Sequence, residues 1–370
     1  MKQAVLLSLF LALALGDLLQ NPDFEIPPLK LPANSTGVPF VLLNENNTIP
    51  GWTFEGEVQY VTAGPNVSLP MNGHAVQLGQ DVEALPSDPD TRLGGLNCSA
   101  NASLVVSAPD SDSDFSFKNN YGKEAWASYG HYLGNWGDGE SIYLVLHSEN
   151  ADFDPNSTCW PMVDSLILKP IGALAQGQDN LLLNGGFETG PDFLNGSSEG
   201  ILLDPEPSIL ESALQRWLAV GTVKYIDSKH YYVPEGKAAI EIVSGASTGI
   251  QTAQKLSEGS SYALKFDTGD ANDLCVGDFL VEVRAGSTVQ NVTLHSNGTG
   301  SAKTFSLNFK GGKGLTVISF LSYKTTQRKD GVLCGPVLDD VVLRASEGKK
   351  LRALGVSLLL VVHWLFMSFN

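Results

Sequence analysis

At 370 residues the chain has room for two domains, each able to bury its own core. It carries 23 Lys+Arg against 40 Asp+Glu with no long run of either sign, so no basic face is available for a nucleic acid. With 38 Gly and little helical periodicity between the termini, the composition favours all-β sandwiches with many turns.

In chain order, Met1-Lys2 and the apolar run Ala4 to Leu15 form the pattern of a secretory leader, with small residues near Gly16 for cleavage. A first domain is expected over 17–169. It opens on Asp17-Leu-Leu-Gln-Asn-Pro-Asp-Phe-Glu25, and Trp52 to Val61 alternates well enough for a strand or hairpin. Ser103 to Ala108 is another strand. Pro170 to Asp179 lacks an apolar pattern and reads as a linker. The second domain, 180–345, is expected to carry strands near 224–226, 238–243, 262–266, 280–284, 304–309, 316–323 and 337–343, with a short helical turn within 202–217. Ala353 to Phe369 is an apolar tail behind Ser346, Gly348 and a basic spacer, which matches a glycosylphosphatidylinositol attachment signal over 346–370, with Ser346 as the attachment residue and 347–370 removed.

The two domains are copies. Cys159-Trp-Pro-Met-Val-Asp-Ser-Leu-Ile-Leu168 repeats as Cys334-Gly-Pro-Val-Leu-Asp-Asp-Val-Val-Leu343, and the opening stretch repeats as Asn180-Leu-Leu-Leu-Asn-Gly-Gly-Phe-Glu188. Trp52 and Tyr60 match Trp217 and Tyr225, and Gly73-His-Ala-Val-Gln-Leu78 matches Gly236-Lys-Ala-Ala-Ile-Glu241. Between the matched alanine and cysteine the second copy spans 37 residues and the first only 23, so either the first domain lacks a core strand or a piece of the sequence has been lost, and the second reading is preferred because deleting a core strand uncovers an apolar face. The cysteines are spaced 61 apart in one copy and 59 in the other, which favours Cys98–Cys159 and Cys275–Cys334 among three pairings. Sequons at Asn34, Asn46, Asn66, Asn97, Asn101, Asn156, Asn195, Asn291 and Asn297 predict a glycosylated surface.

Chemistry is harder to find. Gly245-Ala-Ser-Thr-Gly249 fits a nucleophile-elbow pattern around Ser247, but strand or loop follows it where that motif needs a helix, so a glycine-rich turn is the better reading. Adjacent Asp339 and Asp340 point to opposite faces of a strand and cannot flank one glycosidic bond. Glu188 with Asp339, and Glu25 with Asp164, lie on first and last strands, and carboxylates plus carbonyls there suit calcium; backbone hydrogen bonds are the plainer role for the aspartates. Trp52 and Trp217 read as core, whereas Tyr231, Tyr232, Trp126, Tyr129 and Trp136 are the surface aromatics able to stack on a sugar.

Leu182 to Glu188, Pro50-Gly-Trp52, Val223-Lys-Tyr225, Val233-Pro-Glu-Gly236, Gly269-Asp-Ala-Asn272 and Cys334 to Asp340 together resemble the plant cell-wall family called domain of unknown function 642. The resemblance implies two tandem galactose-binding-like jelly-roll β-sandwiches, outside the cell. It implies binding to wall polysaccharide of the pectin or cellulose type and association with pectin methylesterases, and it brings no catalytic residue. The rival readings are a wall-modifying hydrolase or esterase and an ectodomain that binds only proteins. Without 1–16 and 347–370 the chain keeps 19 basic and 39 acidic residues, a formal charge of −20. That charge fits a basic protein partner better than bare contact with polyanionic pectin.

Overall fold

The structure is a computed structural model. It describes residues 19–30, 39–65, 67, 69, 73–79, 102–109, 111–116, 120–124, 126–135, 143–150, 161–172, 174, 179–195 and 197–346. The leader, residues 347–370 of the tail, Cys98, Cys159 and Trp136 fall outside those residues, as does half of the 170–179 linker, while Ser346 is the last residue described. Among the described residues every regular element is a strand.

The first half contributes β1 (Phe40–Leu42), β2 (Val58–Thr62), β3 (His74–Leu78), β4 (Ala102–Ala108), β5 (Ser111–Ser116), β6 (Ser128–Tyr129), β7 (Val145–Asn150) and β8 (Met162–Val163). The second contributes β9 (Ile201–Leu203), β10 (Leu218–Val220), β11 (Val223–Asp227), β12 (Ala238–Glu241), β13 (Thr248–Lys255), β14 (Ser261–Asp270), β15 (Val276–Ala285), β16 (Thr288–Asn297), β17 (Ser301–Lys310), β18 (Leu315–Ser322), β19 (Thr326–Gln327), β20 (Leu333–Cys334) and β21 (Val337–Ala345).

In the second half a five-stranded sheet, β10-β13-β18-β15-β16, faces a larger one, β17-β14-β21-β12-β11-β9. Alternation decides which side chains meet between them. Tyr225, Ile240, Leu264, Phe266 and Leu343 from one sheet pack with Ile250, Phe279, Val281 and Phe320 from the other, around a fully buried Trp217. The Cys275–Cys334 disulfide ties the start of β15 to β20.

The first half repeats this plan in reduced form. Its sheets, β1-β2-β3-β8 and β5-β4-β7, have the order of β9-β11-β12-β21 and β16-β15-β18. Phe24, Val58, Tyr60, Val76 and Val163 form its core, with Leu104 and Leu146 packed against them from the facing sheet. Among the described residues nothing takes the place of β13, β14 or β17 in this copy. The duplication extends to unusual backbone: Asn21, Phe24 and Ser165 have φ of 49°, 54° and 55°, and their counterparts Asn184, Phe187 and Asp340 have 53°, 54° and 44°.

Two expectations are corrected. Residues 202–217 form no helical turn; Ile201–Leu203 is a strand, and hydrogen-bonded turns follow. The match of 73–78 to 236–241 slips by one residue. Tyr60 faces Val76 as Tyr225 faces Ile240, so Gln77, and not Leu78, stands where Glu241 does. A one-residue slip exchanges the faces of a strand: matching by the Gly-x-Ala identity set polar Gln77 at the core position of Ile240, where the structure puts Val76.

The halves are joined by a strap. The chain between β5 and β7, where the second copy has β17, crosses to the second sandwich and adds β6 in parallel to β9, Ser128 opposite Ile201 and Tyr129 opposite Leu202. Gly130 N–H donates to Leu202 O at 3.0 Å and Leu333 N–H to Asn120 O at 2.6 Å. Lys123 pairs with Asp330 at 2.6 Å while its amide donates to Glu199 at 2.7 Å, and the Tyr121 hydroxyl bonds to that of Ser244. With no counterpart of β14 beside it among the described residues, this segment satisfies its backbone on the exposed edge of β9.

Candidate functional site

Three loops meet at one end of the second sandwich: 228–237 between β11 and β12, 271–275 between β14 and β15, and 298–300 between β16 and β17. Each is tied down by an aspartate at a strand end. Asp227 Oδ1 accepts the amides of Lys229 and His230, both at 2.9 Å, and His230 Nδ1 lies 3.0 Å from it. Asp270 is buried and accepts from Asn272 N–H at 3.2 Å, Gly300 N–H at 2.6 Å and Ser301 Oγ at 2.9 Å, which binds the second loop to the third.

Tyr232 rises from this end. Its amide donates to Ala271 O at 2.9 Å, and 37% of its surface is exposed. A Cβ on Gly300 would come within 2.8 Å of Tyr232 Cβ and 2.9 Å of Asn272 Cβ, so only glycine lets the two lie this close. Beside them Leu274 is 71% exposed and Val276 57%. Asn272 and Leu274 hold φ of 58° and 67°, a conformation costly for leucine and kept here by Cys275 and its disulfide next door. An exposed ring with an amide side chain and backbone polar groups around it can stack on one face of a ligand and hydrogen-bond its edge.

The other aromatic candidates are placed differently. Tyr231 is half-buried, packed on Ile226, Ala239, Ala271 and Val337, with the Lys224 ammonium 6.0 Å from its ring centre. Burial, then Glu241, pushes its hydroxyl pKa up. Trp126 packs on Val61, Val67, Leu69 and Ala75. Tyr129 belongs to the strap, its hydroxyl donating to Ser116 O at 2.6 Å. These three serve packing because the strap and the 228–237 loop cover the faces they stand on, which sequence spacing could not reveal. Trp52 and Trp217 lie in or against the cores, each with its indole N–H given to a carbonyl of the opening loop, Asn21 O and Leu183 O, both at 3.1 Å.

The duplicated carboxylates form a repeated clasp. Glu25 accepts His74 N–H at 2.7 Å, and Glu188 accepts Lys237 N–H at 2.8 Å. Gly73 and Gly236 lie beneath these carboxylates, where a Cβ would come within 1.8 and 2.1 Å of the nearer oxygen. Asp339 spends Oδ2 on Glu235 N–H at 2.9 Å and Oδ1 on Asp340 N–H at 2.7 Å. Burial, and to a lesser degree Glu188, pushes its pKa up to about 7. Asp164 is raised to about 6 by burial, and its Oδ2 is buried without a hydrogen-bond partner. Asp340 points away and pairs with Lys265 at 2.7 Å. For a calcium ion the fit is limited: in the second copy three of the four oxygens of Glu188 and Asp339 already accept amides. The one group of three or more ligand-type residues with converging atoms among the described residues is Asp273, Cys275 and Cys334, whose sulfurs are bonded to each other.

Ser247 sits in a tight turn, φ 70°, with Thr248 N–H returning to Gly245 O at 2.8 Å and β13 following directly. That is a tight turn in the connection that carries the chain from β12 in one sheet to β13 in the other; the expected hairpin is not formed, and neither is a strand-to-helix elbow.

Comparison with known proteins follows the same lines. A family model described as "Protein of unknown function (DUF642)" matches residues 17–84, 93–169 and 180–344. Protein DUF642 L-GALACTONO-1,4-LACTONE-RESPONSIVE GENE 1 of Arabidopsis thaliana is 31% identical over 348 residues, covering 89% of this chain and 91% of its own. Protein TEEBE of the same plant is 30% identical over 347 residues, covering 89% and 91%. Among solved structures, TmCBM61 in complex with beta-1,4-galactotriose covers 45% of this chain and 99% of its own at 20% identity, TM-score 0.29. The CBM22-1 xylan-binding domain from Paenibacillus barcinonensis Xyn10C covers 40% and 94% at 15% identity, TM-score 0.27. With its family match running through both copies, the chain belongs to the DUF642 family.

Proposed function

We propose that this is a non-catalytic extracellular protein, held at the outer face of the plasma membrane and in the wall, that binds a wall polysaccharide through the loop end of its second sandwich. The observation that carries the reading is the exposed Tyr232 with Asn272, Leu274 and Gly300 packed around it. Ser247, in a tight turn that leads straight into β13, gives the rival hydrolase no support. Calcium belongs to the same proposal at Glu188 and Asp339, because a hard cation would offset the burial that disfavours the Asp339 carboxylate. The acidic surface as a whole is assigned to a basic wall-protein partner of the pectin methylesterase kind.

The test is a glycan array with full-length protein, run with calcium and with chelator. Tyr232→Ala should weaken binding to the glycan found by about threefold to tenfold, the range of an aromatic contact. Asn297→Gln is measured beside it, because that sequon opens the third loop and a glycan there would stand at the rim of the site. Undiminished binding by Tyr232→Ala would move the site elsewhere. An array silent for every glycan would leave the protein-binding ectodomain as the reading.

A further inference from the structure

The outer face of the five-stranded sheet carries an apolar stripe that the polypeptide leaves in water. Along β18 the side chains alternate. Ile318 and Phe320 point into the core, whereas Leu315, Val317, Ser319, Leu321 and, just past the strand, Tyr323 point outward. Leu315 is 67% exposed, Val317 42% and Tyr323 44%, and Leu321 is half-buried. Leu280 of β15 faces the same way beside Tyr323, whose amide donates to Leu280 O at 3.4 Å. The two charges next along β15, Glu282 and Arg284, neutralise each other at 2.9 Å.

At the side of this face stands β16. Among the described residues it pairs with β15 alone, so its outer edge is a row of unpaired backbone groups over a ten-residue strand, a template for another chain. Asn291 sits within that edge strand, is exposed, and opens the sequon Asn291-Val292-Thr293. The ladder fixes where it points. Asn291 lies opposite Glu282, and Glu282 lies opposite Leu321, so all three share the outer face. Two interstrand spacings, about 10 Å, separate Asn291 from the stripe. Asn297, at the end of β16, points the same way but lies opposite Val276, beyond the last residue of β18, so a sugar there would stand over the loop end.

We propose that Asn291 carries an N-linked glycan whose first sugars lie across the outer face, covering Leu280, Leu321 and Tyr323, and that this cover keeps the sheet from joining a second copy. Pyranose rings present CH faces that pack on aliphatic and aromatic side chains, while their hydroxyls stay in water. The register roots the glycan in the row of Leu321, at the height where the stripe is widest. A glycan in that position also blocks the β16 edge, because a strand added there or a protein laid flat on the face would have to displace it. The inference rests on the extracellular reading, since such glycans are added to secreted chains.

Full-length protein secreted from plant cells provides the test, in two stages. Glycopeptide mapping comes first. Sugar at no sequon would fail the extracellular reading itself, whereas sugar at other sequons with Asn291 bare would overturn this inference alone. Then the sequon is removed in two ways, by Asn291→Gln and by Thr293→Ala. Both variants should lower the melting midpoint of the second half by about 2–4 °C. Both should also raise hydroxyl-radical oxidation of Leu321 and Tyr323 and bring on concentration-dependent dimers, and Asn297→Gln should do none of these. In a Leu321→Ser, Tyr323→Ser background the loss of the Asn291 sugar should shift the midpoint no further, because contacting groups are not additive. Equal oxidation with and without the sugar, the same response to Asn297→Gln, or an undiminished shift in the serine background would each overturn the proposal. So would dimers cross-linked through β18 with the Asn291 glycan in place, which would make the face an interface between copies.

Discussion

Lys224 stands directly across the β11–β12 ladder from Glu241, both buried, and the first copy fills the same two positions with Gln59 facing Gln77. One copy thus buries ionisable side chains where the other buries their neutral counterparts. Glu241 gives Oε1 to Gly335 N–H at 3.0 Å and leaves Oε2 without a partner, as Gln59 leaves its Oε1. Burial pushes the Glu241 pKa up to about 8, against the attraction of Lys224.

Stability should therefore fall as pH rises. Asp164, Asp339 and Glu241 all have raised folded-state values, about 6, 7 and 8, so the folded protein holds more protons than the unfolded chain between roughly pH 4 and 8. Their contribution is complete below the unfolded values and is lost as pH climbs through the folded ones. Thermal melts across that window should show a falling midpoint. Glu241→Gln, which adopts the first copy's solution, should flatten the part between pH 6 and 8, with a difference on the order of a few kcal/mol at the alkaline end. An unchanged slope in that variant would show that Glu241 ionises without cost.

The Cys275–Cys334 bridge closes a loop of 59 residues in the second sandwich. Chain entropy assigns such a closure about 4 kcal/mol. Cys275→Ser with Cys334→Ser should lower the melting midpoint of the second half by roughly 10 °C, and by more than any effect on the first half. Equal melting with and without reductant would remove the bridge from the stability account. Leu274, strained beside it, should also become more open to proteolysis.

The two glycines beneath the duplicated glutamates should respond unequally to alanine. At Gly236 the new Cβ meets Glu188 Oε1 and the backbone is left-handed, φ 73°. At Gly73 the Cβ meets Glu25 Oε1, but the backbone is in an ordinary region. A carboxylate can swing away, whereas a left-handed φ stays costly for a side chain. Gly236→Ala should then cost about 1–2 kcal/mol more than Gly73→Ala in chemical denaturation. Equal costs would assign the whole effect to the displaced carboxylate.

If the acidic surface steers a basic partner, the association rate with a basic methylesterase should fall steeply between low and physiological salt. A rate independent of salt over that range would leave the acidity as a solubility feature.

Reading the sequence alone went far where the signal was local or repeated. The paired phrases around Cys159 and Cys334, and around Phe24 and Phe187, reported the duplication, the strand class, the family and the Cys275–Cys334 bridge. They did so because turn residues, alternation and cysteine spacing each constrain the chain nearby. The aromatic candidates were only half legible: composition placed Tyr231 and Tyr232 side by side, but which one faces out depends on the loop that folds Tyr231 onto Ile226 and Ala239. The slip at Gln77 was missed because a local identity was followed in preference to the alternation that puts Val76 inward. The strap was invisible: it depends on which strand edge a segment finds, and an edge is an arrangement of backbone donors and acceptors that no side-chain pattern records. His131 and Glu206 lie 75 positions apart, on either side of the linker, and only the closing of the strap onto β9 brings an imidazole and a carboxylate together out of water.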